Sequence, residues 1–338
     1  MNISELAQHL DVAVSTVSRV LSGNAEKYRI SQKTEQRIRE AAKKFHVVPD
    51  PLGAGLRRGK IGMVGLLVPD ITNPFFSHLA RAVESKLRNR GIAVQLCDSN
   101  EDPETELDLL RNLMSRRLDG LIVAPVGVSG EQLASTLRRS PFPTILLDRI
   151  LTGVDAPTIA IDNRAAGSLA ANCLLELGHT SIGCLRGNPL SRSDRDRLAG
   201  VEDALQRKGD ASPNLLVSGE GYSAEQSRAA AEALLQREDR PSAIITLSGQ
   251  GILGTLEVAR EFGISLPDEL SLVAFDEQPW SPLVHPPLTT ISQPIEKMAE
   301  KAAEILSSQL DGETSAQSAG SHIFEATLIK RSSVTIPC

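Results

Sequence analysis

The sequence predicts an all-α helix-turn-helix head followed by an α/β core of two lobes, each a parallel sheet covered by helices. Three observations carry this. The first 45 residues hold three short runs with helical apolar spacing, the first two separated by only Asp11-Val12-Ala13. From residue 61 apolar strand-like runs alternate with amphipathic helical stretches, the pattern of parallel sheets with helices on both faces. Charge divides at the same place: residues 1–60 carry eleven Lys/Arg against six acidic residues, net +5 in a chain of net −6, which leaves −11 for the rest.

In the head, Ile3, Leu6, Ala7 and Leu10 mark a first helix, and Val14, Val17, Val20 and Leu21 a second. The connection is too short for anything but a tight turn, and Asp11 tolerates the left-handed backbone such a turn needs. A third helix starts at about Ser31, an N-cap residue followed by Thr34-Glu35, and runs through Ile38, Ala41, Ala42 and Phe45. Three small helices with a tight turn between the first two form a helix-turn-helix unit, with the second helix as reader. Val47-Val48-Pro49-Asp50-Pro51 breaks the pattern, and 52–60 is short, Gly-containing and basic. The expected domains are a head at 1–48, a hinge at 49–60 and a core at 61–338.

In the core, strand-like runs fall at 61–68, 93–97, 120–124, 144–147, 182–185, 242–247 and 270–275, with weaker ones at 158–161, 215–217 and 326–329. Helical stretches lie at 75–90, 103–117, 129–139, 163–177, 195–208, 223–237, 250–262 and 294–310. The core exceeds the usual size of a single hydrophobic core, hence two lobes: about 61–160 with 292–322, and about 161–291 with 323–338. Ligands in such sheets bind beyond the carboxyl ends of the strands. Those ends read Pro69-Asp70, Asp98, Pro125, Asp148-Arg149, Asp162, Arg186 and Asp276, a polar lining and not a core.

Composition excludes several classes. No stretch approaches the roughly 20 apolar residues of a membrane-spanning helix. The start, Met1-Asn2-Ile3-Ser4-Glu5, lacks the charged and apolar runs of a signal peptide, so a cytoplasmic protein is expected. Cys97, Cys173, Cys184 and Cys338 are widely spaced, which predicts neither disulfides nor a metal site. A basic head on an acidic body points to nucleic acid at one end only. There Ser15, Thr16, Ser18 and Arg19 offer hydroxyl and guanidinium groups for phosphates and base edges.

Over essentially its full length the chain resembles the lactose-repressor (LacI/GalR) family of bacterial transcription regulators. The matching pieces, in the family's order, are Val14-Ser15-Thr16-Val17-Ser18-Arg19-Val20-Leu21-Ser22-Gly23 and Val68-Pro69-Asp70-Ile71-Thr72-Asn73-Pro74-Phe75-Phe76. They continue with Leu147-Asp148-Arg149, Asp162-Asn163, Leu177-Gly178-His179, Asp196-Arg197-Leu198-Ala199-Gly200, Val273-Ala274-Phe275-Asp276 and Pro286-Pro287-Leu288-Thr289-Thr290-Ile291. The resemblance implies a homodimer on a palindromic DNA operator and a periplasmic-binding-protein-like core that takes a small-molecule effector between its lobes. It places Val14 and Ser15 at base edges, Leu56 in the minor groove with Arg57 beside it, and an aromatic from Phe75-Phe76 on the effector. Asp148, Arg197, Ser248 and Asp276 match effector-contacting positions, and Trp280, the only Trp, stands near enough in sequence to roof the pocket or to pack a loop. Arg19 has the geometry to bond a guanine bidentately.

The chain departs from the family pattern at several points. Ala13 stands where a Ser usually caps the reader helix, a loss of about 1 kcal/mol. His46 and Val47 replace a usual Gly and Tyr. In the hinge, Asp50, Gly53 and Ala54 replace Asn, Ala and Arg, and Gly55 follows; glycine costs about 1 kcal/mol per helical position. The hinge is therefore expected to be disordered off DNA and to fold poorly on it. Ser248-Gly249 replaces a common Asn-Asp, which suggests an effector carrying a carboxylate or phosphate, held by Arg197 and the helix start. The same stretch, Gly249-Gln250-Gly251-Ile252-Leu253-Gly254, is a formal dinucleotide fingerprint after a strand. A dinucleotide-binding protein, or a small-molecule binder that no longer regulates DNA, are the alternatives to a repressor controlled by a sugar or a sugar acid or phosphate. With no paired general base and supporting His, neither catalysis nor a cofactor is expected.

Overall fold

The computed structural model describes residues 1–338 except 22, 48–59, 127–129, 208–212, 314–319 and 338. The chain divides into two compact units, Met1–Gly62 and Met63–Cys338. The expectations for the hinge, with Leu56 and Arg57, fall outside the described residues, as does Cys338.

The head consists of α1 (Ile3–His9), α2 (Val14–Leu21) and α3 (Gln32–Lys44). Asn2 and Glu5 form a reciprocal capping box at α1, and the Ser31 hydroxyl accepts from the Thr34 amide at α3. Asp11 takes the left-handed conformation in the first turn (φ 49°), and His46 does so after α3 (φ 51°), where glycine is the usual residue. Leu6, Val17, Val20 and Ile38 are fully buried and close the small core, with Ala25 and Val47 packed beside them.

The larger unit holds two six-stranded sheets. The first contains β1 (Met63–Val68), β2 (Ala93–Asp98), β3 (Gly120–Val123), β4 (Thr144–Leu147), β5 (Thr158–Ile161) and β11 (Ser321–Phe324). The second contains β6 (Ser181–Leu185), β7 (Asn214–Ser218), β8 (Ala243–Thr246), β9 (Ser271–Phe275), β10 (Thr289–Ser292) and β12 (Thr327–Ile329). Their strand orders, β11-β5-β4-β3-β1-β2 and β12-β10-β9-β8-β6-β7, are the same order twice. All pairings are parallel except β10 with β12.

Helices α4 (Pro74–Arg88), α5 (Pro103–Ser115), α6 (Gly130–Leu137) and α11 (Ile295–Leu310) cover the first sheet; α7 (Asn163–Glu176), α8 (Arg192–Gln206), α9 (Ala224–Leu235) and α10 (Gly249–Glu261) belong with the second. The strands β1, β3, β4, β5, β8 and β9 are buried almost throughout, as parallel strands covered on both faces must be. The chain passes between sheets after β5, after β10 and between β11 and β12. The third crossing therefore follows Phe324, whereas the expected lobe boundary at 322 falls inside β11. Two strands escaped the sequence reading, β10 and β11, and α8 begins at Arg192, three residues before its expected start, after Ser191 as N-cap. Cys173 and Cys184 are buried and Cys97 half-buried, all as free thiols. Among the described residues no group of His, Cys, Asp or Glu is arranged to hold a metal, and no helix is long and apolar enough to cross a membrane.

Candidate functional site

The polar strand ends anticipated from the sequence converge where the two sheets of the core face each other. On the first sheet, Asp148 follows β4, is 3% exposed and has a left-handed backbone (φ 66°), with its amide on the Ile159 carbonyl at 2.7 Å. Burial pushes its carboxyl up to about 6, against the pull of Arg197 and Arg149 and with help from Asp276 and Glu101. Arg149 beside it donates from Nη1 and Nη2 to the two carboxylate oxygens of Glu101 at 2.9 and 2.6 Å, and from Nη1 to the carbonyls of Pro125 and Val126. Its guanidinium also meets two rings, Phe76 at 5.2 Å and Tyr222 at 5.5 Å. Asn100 and Glu101 are both left-handed (φ 53° and 55°), an unfavourable pair for non-glycine residues that the Arg149 bond and the Glu101 amide on the Pro69 carbonyl hold in place.

On the second sheet, Arg197 of α8 is 7% exposed. It donates from Nε to Asn163 Oδ1 and from Nη1 to the Leu247 carbonyl, both at 2.8 Å, and its guanidinium lies 4.4 Å from the Phe275 ring centre. Two glycines make this reach possible. A β-carbon on Gly167 would stand 1.9 Å from the Arg197 carbonyl oxygen, and one on Gly200 at 1.9 Å from that of Arg164, so α7 and α8 touch backbone to backbone. Asp276 follows β9 as Asp148 follows β4, again left-handed (φ 72°), and its Oδ1 accepts from Gln293 Nε2 at 2.7 Å. Arg186, another expected lining residue, is taken up by Asp194, which accepts from its Nε and Nη2 and also from the Gly187 amide.

Among the described residues eight buried side-chain atoms have no hydrogen-bond partner; three belong to Ser307 and Gln309 on α11, and the other five lie around these groups: Asp148 Oδ1, Thr246 Oγ1, Ser248 Oγ, Gln278 Oε1 and Gln293 Oε1. Buried polar atoms are rarely left unpaired, and so many together mark a surface built to bond something else. Three are pure acceptors and two are hydroxyls.

Not every expected residue joins them. Phe75 and Phe76 are both buried (5% and 3% exposed), edge to face at 5.1 Å, and it is Arg149 that faces Phe76. Trp280 is half-buried against the apolar cluster of α9, α10 and the second sheet, which favours the loop-packing role. The α10 start does not offer an open anion seat. A β-carbon at Gly249 would lie 3.5 Å from Asp276 Oδ2 and 3.0 Å from Gln278 Nε2, so a carboxylate already faces it. The other fingerprint glycines serve packing: Gly251 against Leu185 and Thr246, Gly254 against the Ser227 backbone of α9. Sequence reasoning missed Glu101, Tyr222, Gln278 and Gln293. Tyr222 carries one usable signal, being one of two tyrosines and preceded by Gly219 and Gly221; Gln293 follows a strand that the sequence pattern does not mark.

In the head, α2 buries Val17 and Val20 and turns Val14, Ser15 and Arg19 outward, with Thr16 and Ser18 half-exposed beside them. Ala13 supplies its carbonyl to the Thr16 and Val17 amides but has no side-chain oxygen for a cap.

Comparison with known proteins agrees with this architecture. A family model described as bacterial regulatory proteins, lacI family, matches residues 2–50, and one described as a periplasmic binding protein-like domain matches 171–334. The transcriptional repressor CytR of Escherichia coli (strain K12) is 30% identical over 332 residues, 98% of this chain and 95% of that protein. A LacI-family regulator from Enterococcus faecium, solved with bound ribose, is 26% identical and superposes with a TM-score of 0.71 over 81% of this chain and 99% of its own. The lac repressor dimer bound to operator and an anti-inducer, 23% identical, shares the fold with a TM-score of 0.85 over 98% of both chains.

Proposed function

The chain belongs to the lacI family of bacterial regulatory proteins, and from that premise we propose that it represses transcription under the control of a neutral, hydroxyl-rich ligand of the sugar class. Its relatives are transcriptional regulators and not enzymes, and the α2 surface carries the DNA-binding part of this reading. Val14, Ser15, Thr16, Ser18 and Arg19 are assigned to the operator, which a homodimer would meet as two half-sites.

The observation behind the ligand class is the set of five unpartnered buried atoms. Asp148, Gln278 and Gln293 present acceptors, so the ligand must bring donors, and sugar hydroxyls do so without adding charge. An anionic effector, expected from the sequence, would meet Asp148 and Asp276, while Arg197 already bonds Asn163 and Leu247. Because Asp148 lies on one sheet and Thr246, Ser248, Gln278 and Gln293 on the other, a ligand bonding both favours one lobe arrangement over others. That bias is what a small molecule needs in order to alter operator binding.

Calorimetry with neutral pentoses and hexoses, their acids and their phosphates tests the ligand class. Neutral sugars should bind and Asp148→Asn should weaken them. Tight binding of phosphorylated sugars alone, unaffected by that substitution, would sink the proposal. A gel shift on duplexes from its own promoter region, with and without the sugar that binds, tests the regulatory half.

A further inference from the structure

The segment joining α2 to α3 is a built element of the head. Ala25 is buried (3% exposed) and Ile30 packs beside it against the head core. Backbone bonds from Asn24 to Arg19, Tyr28 to Asn24, Arg29 to Glu26 and Ile30 to Ala25 close successive turns, and Arg29 is left-handed (φ 54°). These anchors turn Lys27, Tyr28 and Arg29 outward beside the last turn of α2. Tyr28, 47% exposed, lies under Arg19, whose guanidinium carbon is 4.1 Å from the ring centre. Among the described residues no carboxylate pairs with Arg19.

We propose that Tyr28 is a positioning residue for DNA recognition, holding the Arg19 guanidinium by its face so that the N–H edge is presented to a guanine. The inference goes beyond the assignment of Arg19 to the operator and rests on it. A free Arg side chain loses much rotamer freedom on gripping a base, and a planar group already stacked loses less. Stacking uses the face of the guanidinium and leaves its donors for the bidentate bond to guanine O6 and N7. The contact strengthens as DNA excludes water from the exposed ring.

The test uses the purified full chain and a pool of randomised duplexes, sequencing the bound fraction for the unaltered protein and for Arg19→Ala, Tyr28→Ala and Tyr28→Phe. Each protein is also titrated on the selected duplex and on a scrambled one at several salt concentrations, and its melting temperature is taken. Arg19→Ala should erase the preference at one base pair per half-site. Tyr28→Ala should weaken the preference at that same pair, with roughly fivefold lower affinity for the selected duplex. Binding to the scrambled duplex, the salt dependence and the melting temperature should not change, and Tyr28→Phe should restore the preference. If Arg19→Ala loses the preference and Tyr28→Ala keeps it, positioning by Tyr28 is wrong while base reading by Arg19 stands. If Arg19→Ala itself keeps it, the premise and the inference fall together. A uniform loss on both duplexes in Tyr28→Ala that Tyr28→Phe does not restore would make Tyr28 a backbone contact through its hydroxyl and overturn the inference.

Discussion

Asp148 and Asp276 occupy corresponding places in two sheets of the same strand order. Each follows its sheet's third strand from the β11 or β12 edge, and each adopts a left-handed backbone. Each also sends its amide to the neighbouring strand, Asp148 to Ile159 at 2.7 Å and Asp276 to Ile291 at 3.0 Å. The turn that brings one carboxylate into the site is thus made twice. The left-handed position suits Asp better than most residues, because its short side chain bonds locally. The two differ in their supports: Gln293 donates to Asp276, while Asp148 keeps an unpartnered oxygen.

That difference gives a pH-dependent prediction. The folded Asp148 carboxyl sits at about 6, above the value near 3.9 of an unfolded chain. Its contribution to stability is therefore complete below the unfolded value and is lost as pH rises through 6. A sugar hydroxyl donating to Asp148 favours the ionised form, so ligand affinity should rise between pH 5 and 7 with a midpoint near 6. Asp148→Asn should flatten that rise and, without ligand, stabilise the protein at pH 7.5 by no more than about 3 kcal/mol. Calorimetric titration and thermal melts across this range read both. A rise of equal size in the Asn variant would remove Asp148 from the site.

The two aspartates were legible because each ends an unmistakable apolar strand, Thr144–Leu147 and Ser271–Phe275. Their partners were not. Glu101 meets Arg149 across 48 residues and Tyr222 meets it from the other sheet's loops, and no local periodicity encodes such a meeting. The strands β10 and β11 are four residues each, and mixed Thr-Thr-Ile-Ser or Ser-His-Ile-Phe runs acquire strand character only from the neighbours they pair with. The Asp196-Arg197-Leu198-Ala199-Gly200 motif was visible, yet the work of its glycine appeared only with the facing helix.

Gly200→Ala tests that work. The added methyl would meet the Arg164 carbonyl oxygen at 1.9 Å and the Ser168 amide at 2.9 Å, so α7 and α8 must separate. Overpacking of this kind costs about 1–3 kcal/mol. Separation also strains the Arg197–Asn163 bond, so ligand affinity should fall together with the melting temperature. An unchanged affinity in a destabilised variant would show that Arg197 reaches the site independently of the helix contact.

Tyr222 depends on Gly187 in a similar way. A β-carbon at Gly187 would lie 1.9 Å from Tyr222 Cε1, so only glycine leaves room for the ring against Arg149. Gly187→Ala and Tyr222→Ala should therefore produce the same change in ligand affinity, and the double variant no more than either alone. Additive losses would mean that the two residues act separately.

The last prediction concerns His179, 2% exposed, whose Nδ1 lies 2.8 Å from Ser242 Oγ and whose Nε2 lies 2.9 Å from the Thr335 carbonyl. A carbonyl only accepts, so Nε2 carries the proton and the ring ties the C-terminal segment to the start of β8. Burial lowers the pKa of this imidazole, with the Thr335 bond opposing. A lowered folded value means that the contribution is present above the unfolded value near 6.5 and is lost as pH falls. This slope is opposite to that of Asp148, so the unaltered protein shows only their balance and each must be isolated by substitution. His179→Gln should lower the melting temperature at pH 7.5 and reduce the further loss between pH 7 and 5. The expected readout is a converging pair of melting curves as the solution is acidified, since the unaltered protein gives up its imidazole contribution there and the variant has none to lose. Curves that stay parallel would assign the acid loss to other groups.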